Sequence, residues 1–72
     1  MKMARLSFSE KTNTVTSVRD TTTLLISAKG YDYLWNLRRG KNTLSKGTGN
    51  LRELYEAVNF DNEEYIFFKD RI

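Results

Sequence analysis

Apolar and polar positions alternate from the start of the chain. In MKMARLSFS, residues 1–9, Ala4, Leu6 and Phe8 interleave with Arg5, Ser7 and Ser9, which predicts a strand with one apolar face. Residues 10–13 predict a turn, and TVTSV at 14–18 is β-branched and closes a hairpin. Arg19 and Asp20 break the pattern before TTTLLISAK at 21–29, where Thr22, Leu24, Ile26 and Ala28 share a face.

Beyond Gly30 the pattern supports two readings. Tyr31, Tyr33, Trp35 and Leu37 alternate in YDYLWNLRR as on a strand, whereas Asp32 as an N-cap, Arg38 and Arg39 in a last turn and Gly40 just past it fit a short helix. Aromatic residues at period two favour the strand, because they suit a pleated surface. RRGKNTLSKGTGN, residues 38–50, then reads as a basic loop. Leu51, Leu54, Tyr55 and Val58 follow the i, i+3, i+4, i+7 spacing of a helix face, and Asn50 with Glu53 makes a capping box at its start. Asp61 and Asn62 turn the chain into EEYIFFKD, read as a last strand. The expected architecture is α+β, a small, mostly antiparallel sheet in the order ββββαβ with one amphipathic helix packed on one face, as a single domain over residues 1–72.

A chain of 72 residues buries only roughly 60% of the surface its unfolded form exposes, so the core is thin. With no Cys and no His, neither disulfides nor a normal zinc set can staple it. Leu25 and Leu34 fall out of phase with their neighbours and YIFF (65–68) is apolar on both faces, so a small apolar patch is expected on the second sheet face, and with it a homo-oligomer. The lack of Cys favours an intracellular, cytoplasmic location over a secreted one. No apolar run approaches the roughly 20 residues of a membrane helix, and residues 1–9 lack a signal-peptide core, so a soluble protein is expected.

Charge is lopsided. Residues 1–52 carry ten basic side chains against three acids, and residues 53–72 carry six acids against two bases. Such a bipolar chain can steer encounters with a charged partner. Catalysis finds little support: Ser-His-Asp and Cys-His pairings are excluded by composition, and DNEE at 61–64 lacks the spacing and glycine of a calcium loop. Gly40-Lys41 is no P-loop, since Trp35 stands where the earlier glycine belongs and Asn42 follows. Gly47-Thr48-Gly49 fails the dinucleotide pattern at Arg52. No enzyme activity, cofactor or metal is expected.

What remains is electrostatic. Gly47 and Gly49 precede a helix N-terminus, with Arg38, Arg39, Lys41, Lys46 and Arg52 around them and no acid between Tyr33 and Arg52, an arrangement suited to an anionic partner. The alternative is a solvated loop whose Gly, Ser, Thr and Asn residues make turns. Tyr31 and Trp35 offer an aromatic contact beside these cations, or core packing. The expectation is a non-enzymatic binding module for another protein, with an acidic surface on that partner. In type it is similar to the small regulators and inhibitors that viruses and mobile elements encode. Single-stranded nucleic acid is the alternative partner.

Overall fold

A computed structural model of the chain describes residues 4–72. Strands β1 (Arg5–Ser9), β2 (Thr14–Arg19), β3 (Thr22–Lys29), β4 (Asp32–Arg39) and β5 (Asn42–Gly49) precede helices α1 (Leu51–Ala57) and α2 (Asn62–Arg71). The strands form one antiparallel meander in chain order. Residues 1–3 of the expected first strand lie outside the described residues.

The α+β class holds, but two elements differ from expectation. Residues 42–49 are a strand rather than a loop, and residues 62–71 are a helix rather than a strand, so the order is βββββαα. Residues 32–39 take the strand form of their two readings. Three hairpins close through two-residue turns whose first residue has positive φ: Asp20 (57°), Gly30 (64°) and Gly40 (59°). Gly enters that region at no steric cost and Asp tolerates it, so these turns are locally encoded.

Register decides which side chains share a face. Phe8, Val15, Ile26, Trp35 and Gly47 lie in one row across the sheet, and Leu6, Ser17, Leu24, Leu37 and Ser45 in the next. On this inner face the core forms, with Val15, Leu24, Ile26 and Trp35 meeting Leu54, Val58 and Phe68 from the helical side. Helix α1 packs over β4 and β5, and α2 over β1 and β2, so two short helices cover what one was expected to cover. Tyr33 meets Phe68 edge-on at 5.1 Å between ring centroids, and Phe60 stacks on Phe68 at 6.0 Å.

Both helices start with the same device. Asn50 Oδ1 accepts from the Glu53 backbone N–H at 2.9 Å while the Asn50 N–H donates to Glu53 Oε1 at 3.2 Å. Asp61 and Glu64 repeat the exchange at 2.7 and 3.2 Å. Glu64 does more than cap. It is buried, accepts from Ser17 Oγ at 2.5 Å and from Arg19 Nη2 at 3.0 Å, and Arg19 also pairs with Asp61. A buried carboxylate is tolerable only when its oxygens are satisfied in this way, and the result pins the start of α2 to β2.

Candidate functional site

The outer face of the sheet has no helix over it. Its rows, by register, are Arg5, Val18, Thr23, Arg38 and Thr43; Ser7, Thr16, Leu25, Asn36 and Lys46; and Ser9, Thr14, Ser27, Leu34 and Thr48. Arg5, Arg38 and Lys46 are exposed, Leu25 is half-buried and Leu34 is 43% exposed. Lys29 and Asp32 face each other at one end, Asp32 being the acid on this face. The surface is therefore a flat field of hydroxyls around two leucines, with three unopposed cations. Near its centre Asn36 Oδ1 is buried without a hydrogen-bond partner, a departure from normal polar satisfaction that packing does not explain. Thr14 Oγ1 and Ser27 Oγ, by contrast, bond to each other at 2.8 Å.

The basic stretch of 38–52 does not close into one cradle. Arg38 and Lys46 share the outer face, but Arg39 stands opposite Thr22 on the inner side, Lys41 sits in the β4–β5 turn, and Arg52 is exposed on α1. The expected role of the glycines is also corrected. Neither Gly47 nor Gly49 has positive φ; a Cβ on Gly47 would lie 2.7 Å from the Trp35 ring, and one on Gly49 would lie 2.7 Å from the Glu53 carboxyl carbon. Gly47 is glycine because the Trp35 ring occupies the space, whereas at Gly49 the neighbour is the end of the flexible Glu53 side chain. Two of the N–H groups at the start of α1, those of Asn50 and Glu53, are taken up by its own capping box, and the Glu53 carboxylate that closes it stands against an anion there.

Of the aromatic pair, Tyr31 is fully exposed in the β3–β4 turn, whereas Trp35 is core, 6% exposed and donating from Nε1 to Ser45 Oγ at 3.2 Å. Phe8 and Tyr33 lie on the inner face with it. The expected apolar patch is present in part: Leu25 and Leu34 are on the outer face, but YIFF belongs to α2 and contributes nothing there. Arg5 was missed as a candidate, although its alternation with Leu6 and Phe8 placed it on the outer face from the start.

An inner cavity of about 260 Å³ opens beneath the α1–α2 turn, floored by Leu24 and Leu37, with Arg39 on one wall and Glu64 on the other. It falls below the roughly 300–1,000 Å³ of ordinary small-molecule sites, and Glu64 is already committed to Ser17 and Arg19. Hydrogen bonding to the Tyr65 phenol, with partial burial, pushes the Tyr55 phenol up to about 12, a property of the aromatic cluster under the helices. Among the described residues no group of three His, Cys, Asp or Glu side chains is placed to hold a metal, and no helix is long and apolar enough to cross a membrane. Comparison with protein-family models, with curated proteins and with solved structures returns no match.

Proposed function

We propose that this chain is a small non-enzymatic protein-binding module, a regulator or inhibitor that acts by laying its uncovered sheet face on an acidic surface of another protein. The observation that carries this reading is the segregation of charge. Arg5, Arg38 and Lys46 stand on the outer face, while on the helical layer at the opposite side the exposed acids Glu53, Glu56, Glu63 and Asp70 are nearly balanced by the exposed Arg52, Lys69 and Arg71. A partner of negative potential is thus attracted to the outer face and not to the near-neutral helical layer, which orients the encounter. Leu25 and Leu34 supply the apolar centre that a specific interface needs within its polar rim.

Single-stranded nucleic acid would be held by the same cations, but its bases are usually stacked on exposed aromatic side chains. Here Phe8, Tyr33 and Trp35 face the core.

The test is capture from nuclease-treated lysate with the whole chain as bait, followed by calorimetry with the purified captured protein. Arg38→Glu and Lys46→Glu should each weaken that binding at least tenfold, and Glu56→Lys on the helical layer should not. If the wild type instead binds a thymidine oligonucleotide with a steep salt dependence that Lys46→Glu abolishes, the partner is nucleic acid and the proposal fails. Undiminished capture by the doubly reversed variant would remove the outer face from consideration.

A further inference from the structure

The two edges of the sheet are built differently. Strand β5 is blunted in the ways that keep edges from pairing: the register shift against Leu37 and Arg38 leaves Leu44 as an extra residue, and Lys46 stands in the middle of the strand. Strand β1 has no bulge, Lys or Pro, and among the described residues it pairs only with β2. Its outward N–H and C=O groups form an open template.

Beside that edge lies an apolar feature of the surface. A groove of about 450 Å³ runs between Leu6 of β1 and one flank of α2, lined by Glu63, Ile66, Phe67 and Arg71 among others. Ile66 is 53% exposed there, and the Arg71 guanidinium lies 3.7 Å from the centre of the Phe67 ring. The flank carries Glu63 in the first turn of α2 and both Asp70 and Arg71 in its last.

We infer that the occupant of this edge and groove is a second copy of the chain, joined by antiparallel pairing of β1 with itself about a twofold axis normal to the sheet. Such an interface must be self-complementary. The reversal of direction brings Glu63 of each α2 toward the Asp70–Arg71 end of the other, where Arg71 is the cation available to pair with it, and places the two Ile66 side chains over the shared seam. Side-chain parity narrows the register. Inner-face residues must meet inner-face residues, which admits Leu6–Leu6, Ser7–Ser7 or Phe8–Phe8 at the axis, and the Ser7 register is the one that pairs all of β1, setting Leu6 opposite Phe8 and Arg5 opposite Ser9 of the second copy. The two outer faces then join into one continuous basic surface. The inference does not depend on which partner that surface meets.

Because the chain has no cysteine, Ser7→Cys reports directly on the proposed axis, where directly opposed Cβ atoms come within disulfide reach. Mild oxidation should convert Ser7→Cys rapidly into a covalent dimer, while Thr12→Cys, in the exposed β1–β2 turn, stays largely uncrosslinked. Light scattering on the wild type at high micromolar concentration should give twice the 8.4 kDa chain mass, and Ile66→Glu should return it to 8.4 kDa with an unchanged circular dichroism spectrum. Should Ile66→Glu fail to fold, the cross-linking pair decides alone. A strictly monomeric wild type overturns the inference, as does a dimer that survives Ile66→Glu and leaves Ser7→Cys uncrosslinked.

Discussion

Leu34 and Trp35 are neighbours on one strand with opposite fates. Trp35 is 6% exposed, wedged against Gly47 and hydrogen-bonded to Ser45; Leu34 is 43% exposed among Thr48 and Ser27. The same backbone ladder carries both, so the difference between the faces comes from what lies over them. On the inner face each side chain is constrained in volume by a helix. On the outer face only charge and hydrogen bonding select the residue, which leaves that face available for recognition.

The sharpest way to break this contrast is to truncate both residues. Trp35→Ala should cost about 3–5 kcal/mol, a large share of the stability of a domain this small, whereas Leu34→Ala should cost less than about 1 kcal/mol. Urea unfolding of the two variants measures both, and equal losses would mean that the outer face is also packed. Leu54 tests the helical side of the same core. It is fully buried, and Leu54→Ala should cost about 2–5 kcal/mol, read from the shift in the urea midpoint.

Gly47 and Thr48 repeat the comparison one strand over. Gly47→Ala drives a methyl into the Trp35 ring and should destabilise by about 1–3 kcal/mol, while Thr48→Ala on the outer face should stay within about 0.5 kcal/mol. A neutral Gly47→Ala would show that the indole can move aside, and thermal melts suffice to decide. The smallest effect on stability is expected at Lys46. Lys46→Glu should leave the melting temperature nearly unchanged, within about 0.5 kcal/mol, while weakening capture of the partner. If the same change unfolds the protein, Lys46 serves the fold rather than recognition.

Much of the fold was legible in the residues themselves. Alternation located the first four strands, and Asn50 with Glu53 located the start of α1, which ends at Ala57, one residue before the expected Val58. Strand β5 was hidden because its inner-face positions are Ser45, Gly47 and Gly49, small residues that show no apolar alternation. Gly47 is small because the Trp35 ring fills the space above it, and Ser45 accepts from the same indole, neither of which a local pattern records. Helix α2 was hidden for the opposite reason. Asp61 and Glu64 carry the same capping signal as Asn50 and Glu53, but Asp61 reads as a turn residue and YIFF as a strand by propensity. Within the helix that run divides, with Phe68 buried and Ile66 left at the edge of β1.

The site was legible only in its parts. The basic residues of 38–52 were all visible, yet their dispersal follows from β5 pairing with β4, which sends Arg38 and Lys46 to one face and Arg39 to the other.

By itself the sequence determined what depends on near neighbours: the turns at Asp20, Gly30 and Gly40, the caps, the alternating strands and the absence of thiol and imidazole chemistry. Steric limits on φ and hydrogen bonds spanning three residues act within a few positions of the chain, so they can be read there. Only the tertiary structure decided which sheet face is covered, why Gly47 is glycine, and where the cations gather. Burial arises from residues tens of positions apart, as Ser17 and Glu64 are, and its energy exists only once the sheet and helices meet.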